Sequence, residues 1–210
     1  MDTAEPIGYA RPVTTLLYPS EPLFPPDGGA RRAVWEALRD QLPNDAALFA
    51  GVRVRDDRRE HEIDLLVAWP GLGLAAVAVH GGQVLREGAA WFEETESGPG
   101  GRRRIDPSGP VRAGWHVLRE TLRRRGAPAA DAVFADLLAL PHTYAPGWWE
   151  ALDLPRTLVV DRGDLTRGQG VAERVASAIR TFGAGRRVVD HADVAELAEV
   201  LAGGSSAQDQ

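Results

Sequence analysis

The chain predicts an α/β (α+β) domain with a mixed central sheet flanked by helices. Three observations carry that class. Apolar residues recur at helical spacing in two long segments. Three alternating or wholly apolar runs lie consecutively between them. Gly or Pro punctuates most junctions. The order read from these signals is α-β-β-β, a short hairpin, then α-β, with a β-α-α extension at the C-terminal side.

Residues 1–27 hold Pro6, Pro12, Pro19, Pro22, Pro25 and Pro26 without periodicity and read as an irregular N-terminal arm. Leu16, Leu17, Tyr18, Leu23 and Phe24 would dock that arm on the body. Residues 28–203 form the expected single domain, and 204–210 a disordered tail. Ala30 to Gln41 is a helix with the stripe Val34, Ala37, Leu38 and Leu42, ended by Pro43. Leu48, Ala50, Val52 and Val54 alternate and give a strand leaving through Asp56–Arg59. Glu62–Trp69 and Leu72–His80 are the next strands, the second apolar on both faces as a doubly covered strand must be.

Gly81-Gly82 breaks that strand, and Gln83–Arg86 and Ala90–Glu93 make a hairpin across Glu87-Gly88. Residues 95–106 read as a Gly-, Arg- and Ser-rich loop. Pro107 sits near the start of a long helix reaching about Arg125, with the stripe Val111, Trp115, Leu118 and Leu122. Ala132–Leu140 and Arg156–Val160 read as strands, separated by a Trp-rich loop. Val171, Val175, Ile179 and Phe182 mark a helix, and Asp190 is placed to cap a last one ending near Gly203.

At 210 residues and 44% hydrophobic, with six Trp, the chain has ample material for one core. It has no Cys, so no disulfide and no thiolate metal site. The start lacks the basic-then-apolar order of a signal peptide, and a cytoplasmic location is the expectation. The longest uncharged run, Leu65–Val79, is 15 residues long and interrupted by Pro70, Gly71 and Gly73, too short to span a bilayer.

Net charge is −6, which argues against nucleic-acid binding by overall charge. All 24 Lys+Arg positions are arginine. Eight of them, Arg102, Arg103, Arg104, Arg112, Arg119, Arg123, Arg124 and Arg125, meet only Asp106 and Glu120 in their own stretch. That patch can face phosphates or simply solvent. His142, Tyr144, Trp148 and Trp149 form an aromatic loop that can stack on bases or pack on the core. His116 beside Trp115 reads as a structural histidine. Ser108 and Ser177 lack the His/Asp company of a nucleophile. Gly71–Gly73 and Gly98–Gly101 lack the residues of a phosphate loop.

Several motifs fall in a telling order. They are a Gly-led helix ending "RDQLPND" (Arg39–Asp45), the strand "EIDLLV" (Glu62–Val67) and "AAVAVHGG" (Ala75–Gly82). Trp91-Phe92, "IDP" (Ile105–Pro107) and "VDRGDL" (Val160–Leu165) follow. In this order they resemble the nuclease-related domain (NERD) family, a branch of the PD-(D/E)XK nuclease superfamily, over most of residues 28–182. The resemblance implies a restriction-endonuclease-like core. It also implies carboxylates around Mg²⁺ or Mn²⁺, and a lysine two residues beyond one of them on the same strand.

Carried over residue by residue, the family's strand aspartate is Asp64. Its Glu-X-Lys falls on Ala78-Val79-His80, its helix glutamate near Ala30 or Arg31, and its second-helix glutamine near Pro110. The expectation is therefore a degenerate nuclease fold, not an ordinary enzyme, with DNA contact through the arginine patch and no cofactor. Two alternatives stay open. One is a divergent metal-dependent DNase with Glu62 and Asp64 as metal ligands and His80 as a neutral base. The other is a protein-interaction module with a protein partner and no nucleic-acid role.

Overall fold

In the computed structural model, residues 15–94, 101–145, 149, 151, 154–168, 170–183 and 186–205 are described, residues 203–205 by their backbone alone. The elements are β1 (Leu16–Tyr18), α1 (Gly29–Gln41), β2 (Ala47–Arg55), β3 (Glu60–Trp69) and β4 (Gly73–Val79), followed by β5 (Gln83–Glu87), β6 (Ala90–Glu94) and β7 (Arg102–Ile105). Then come α2 (Gly109–Arg124), β8 (Phe134–Leu140), β9 (Val159–Asp161), α3 (Arg162–Thr166), α4 (Gly170–Phe182) and α5 (His191–Ser205).

A six-stranded mixed sheet runs β1-β2-β3-β4-β8-β9. β2, β3 and β4 form an antiparallel meander, and β8 joins β4 in parallel. Parallel neighbours need a crossover, and α2 supplies it. Successive strand side chains point to opposite faces, yet Gly73 through Ala78 are all buried. β4 is therefore covered on both sides. α2 lies against β2, β3 and β4, and α4 against β4, β8 and β9. Close approach is enforced at Gly114, where a Cβ would sit 2.8 Å from Ile63 Cγ1. Among the described residues, no helix is long and apolar enough to cross a membrane.

The mixed sheet flanked by helices is the class expected. Several local readings need correction. Within the arm, Leu16–Tyr18 is a strand pairing in parallel with β2. The loop expected over 95–106 contains β7, which extends the hairpin into a three-stranded sheet, while residues 95–100 lie outside the described residues. The strand expected over Arg156–Val160 is a 3-10 turn at Arg156–Leu158 leading into β9. α3 was not foreseen. The last helix runs to Ser205, and Asp190 does cap it, its Oδ1 accepting from Asp193 N–H at 2.9 Å.

Candidate functional site

β3 brings Glu62 and Asp64 under the first turn of α1. The paired ladder between β3 and β4 reaches Leu65–Val77. Beyond it, Asp64 Oδ2 accepts the Val79 N–H at 2.8 Å, so the side chain continues the ladder. Asp64 Oδ1 takes Arg31 Nη2 at 2.8 Å, and Arg31 Nη1 reaches Glu62 Oε1 at 2.7 Å. One guanidinium thus bridges both carboxylates. Asp64 is the deepest of the three, 15% exposed against 36% for Arg31 and 41% for Glu62. Burial pushes the Asp64 carboxyl above its ordinary range, opposed by the Val79 N–H, Arg31 and His80, while Glu62 adds to the rise.

His80 lies one residue past β4, its N–H held by Ala139 O at 3.0 Å. Its Nε2 is 3.3 Å from Pro107 O, so that contact assigns the proton to Nε2, since a carbonyl only accepts. Nδ1 stands 3.6 Å from Glu93 Oε2. Buried Glu93 also accepts Gly82 N–H at 3.0 Å and Arg103 Nη2 at 2.7 Å. Burial raises the Glu93 carboxyl, but Arg103, the Gly82 N–H and His80 outweigh it and hold it below the ordinary range. Gly82 is required here because a Cβ would meet the Glu94 carbonyl and come within 2.6 Å of Glu93 Cγ. The hairpin is thereby stitched to the end of β4.

Ala78, at the implied glutamate position, is a buried methyl. Among the described residues no three His, Asp or Glu side chains form a group able to hold a metal ion. The donor chemistry at Asp64 points the same way, because one oxygen is taken by a backbone N–H and the other by a guanidinium. Mg²⁺ or Mn²⁺ needs free hard oxygens, so the residues present do not fit the implied ion.

The arginine patch divides in space. Arg102 pairs with Glu87 at 2.6 Å over the Phe92 ring, and Arg103 with Glu93. On α2, Arg112 pairs with Asp136 at 2.8 Å, while Arg119 and Arg123 reach Asp131 at 3.8 and 3.4 Å. Arg124 donates to Thr121 Oγ1 at 3.3 Å. Arg104 and Arg125 have no side-chain partner among the described residues. Folding therefore supplies carboxylates from β5, β6, β8 and the turn before β8. Of the aromatic loop, Trp149 packs 5.3 Å from Trp91 and donates to Leu154 O, and Tyr144 lies beside Arg162. Trp148 lies outside the described residues.

Three features were missed from sequence. Arg31 was placed only near a lost glutamate, and Glu93 had no assigned role. Asp161 and Asp164 of "VDRGDL" form a reciprocal cap for α3, with Arg156, Arg167 and Arg174 around Asp164. The signal available for Arg31 was a cation standing where an acid is expected. No family model, curated protein or solved structure matches the chain.

Proposed function

We propose that this chain is a NERD-like domain on a restriction-endonuclease-like core that has lost metal-dependent cleavage and acts by binding. The observation that carries the reading is Arg31, whose guanidinium sits between Glu62 and Asp64 and pairs with both. A permanent internal cation there supplies part of the charge compensation that a divalent ion would otherwise bring, without a Lewis-acid coordination site. The order of helix, antiparallel three-strand meander, crossover helix and parallel strand supports the fold assignment. Ala78 and His80, in place of a carboxylate and an ammonium, support the loss of chemistry.

Binding would fall to outward-facing arginines of the 102–125 stretch, with nucleic acid as partner. Incubating the purified protein with supercoiled plasmid and single-stranded DNA in Mg²⁺ or Mn²⁺ tests the first half. No nicking is expected, and cleavage that disappears in Asp64→Ala would overturn the reading. Salt-dependent DNA retention, weakened by Arg→Ala changes at Arg123, Arg124 and Arg125, tests the second half.

A further inference from the structure

Between α2 and the start of β8 lies an open groove of about 210 Å³, lined in part by Arg112, Trp115, His116, Arg119, Phe134 and Arg186. Arg112, His116 and Arg119 stand at i, i+4 and i+7 and so share one helix face. Arg186 comes from a different element, just before the Arg187–Ala132 bridge. The groove is distinct from the Arg31 site. Phe134 and Asp136 pair with Leu74 and Ala76 toward the start of β4, whereas His80 follows its end.

Its cations are prepared in different ways. Asp136 fixes Arg112 through two contacts, Nε at 2.9 Å and Nη2 at 2.8 Å. The Ala130 carbonyl holds Arg119 Nε at 2.9 Å, with exposed Asp131 at 3.8 Å and shared with Arg123. Arg186 has no side-chain partner among the described residues, and His116 is exposed. Three guanidiniums therefore face a lining whose only carboxylate among the described residues, Asp136, already takes both Arg112 nitrogens on its Oδ2. The floor is rigid, since Trp115 and Phe134 stack at 3.8 Å with planes 3° apart. The helix face is thereby fixed relative to the sheet.

We infer that this groove is a phosphate-binding site, with Arg119 and Arg186 as the principal donors, Arg112 as a preorganised flank and His116 as an auxiliary donor. A tetrahedral oxyanion accepts donors converging from separate elements, whereas a planar carboxylate is satisfied by one fork in its own plane. The ligand class is a phosphate group, carried either within a nucleic-acid backbone or at the end of a phosphate ester. The inference rests on the proposed binding reading and narrows it. It moves the main contact away from Arg102 and Arg103, which are committed to Glu87 and Glu93, and adds Arg186, which lies outside the 102–125 stretch.

The test is fluorescence anisotropy at low salt with short labelled single-stranded DNA, with and without a terminal phosphate, competed by inorganic phosphate. Arg119→Gln/Arg186→Gln is expected to weaken binding about tenfold or more, the scale of losing charge-assisted hydrogen bonds. Arg58→Gln/Arg59→Gln, an equal charge change in the β2–β3 turn, leaves affinity unchanged. Equal weakening of both DNAs identifies backbone phosphate as the source, and weakening confined to the phosphorylated strand identifies a terminal phosphate. Circular dichroism of the double variant confirms that it folds. Unchanged binding in the double variant, lost instead in Arg123→Ala/Arg124→Ala/Arg125→Ala, overturns the groove and leaves the proposed function standing. Binding of neither DNA nor inorganic phosphate overturns both.

Discussion

Replacing Arg31 with alanine removes the one cation shared by Glu62 and Asp64 while leaving the backbone of α1 able to stay helical. Breaking a fully buried ion pair costs about 3–5 kcal/mol, and an exposed pair contributes about 0–1 kcal/mol. With Asp64 15% exposed but Arg31 36% exposed, the loss falls between those limits, at about 1–3 kcal/mol near neutral pH. Its pH dependence has a definite sign. Asp64 already has a raised carboxyl in the folded state because it is buried, so the native protein binds its proton more readily than the unfolded chain. Stability contributed by that group is present below the ordinary aspartate range and is lost as pH rises through the raised value. Without Arg31 the rise is larger, so the gap between parent and variant should widen with increasing pH and close on acidification. Urea denaturation between mildly acidic and neutral pH reads this directly. If the two carboxylates are freed by the change, Mg²⁺ should raise the variant's midpoint and leave the parent's unchanged. A deficit independent of pH, or equal Mg²⁺ stabilisation of both proteins, would refute the role given to Arg31.

Further expectations follow from packing and polar networks elsewhere. Asp164→Asn should cost about 3–5 kcal/mol, because the 1%-exposed carboxylate faces Arg156, Arg167 and Arg174. Burial raises the Asp164 carboxyl, but Arg174, the Asp161 N–H and Arg156 outweigh it and hold it below the ordinary range. The parent's advantage is therefore present above the ordinary carboxylate range and lost as pH falls through the lowered value, while the variant's acid dependence flattens; acid titration monitored by tryptophan fluorescence checks both. Gly114→Ala should lose about 1–3 kcal/mol, since its Cβ would press on Ile63; a thermal melt above the parent's would contradict that. Gln41→Ala should cost about 1 kcal/mol, because Gln41 Oε1 accepts the Val171 and Ala172 N–H groups at the start of α4, and hydrogen exchange should quicken at those two amides first.

The main elements were legible because each left a periodic trace. β4 shows an unbroken apolar run, and α2 shows Val111, Trp115, Leu118 and Leu122 at helical spacing. β7 was not legible, since Arg102-Arg103-Arg104 has the composition of a solvated loop. It is a strand because β6 stands beside it, with Glu93 opposite Arg103, Glu94 opposite Arg102, and Phe92 beneath the Arg102 guanidinium. α3, five residues long, is too short for periodicity and depends on its cap. At the candidate site, the sequence placed Asp64, Ala78 and His80 on neighbouring strands. It could not join Arg31 to them, because that contact spans 31 residues to Glu62 and exists only after α1 docks. The patch arginines likewise gained partners through pairings that charge counting along the chain does not register.

The Gln41 bond has a wider meaning. It links the last residue of α1 to the first turn of α4 across 130 positions, and Gln41 Nε2 returns to Arg167 O. A helix near one end of the described chain is thus finished by a helix near the other. Removing residues beyond β8 would strip α1 of a neighbour and leave its terminal amide unanswered. The segment after β8 is therefore a component of the same cooperative unit, and a shortened chain lacking it should exchange its α1 amides as a partly unfolded ensemble.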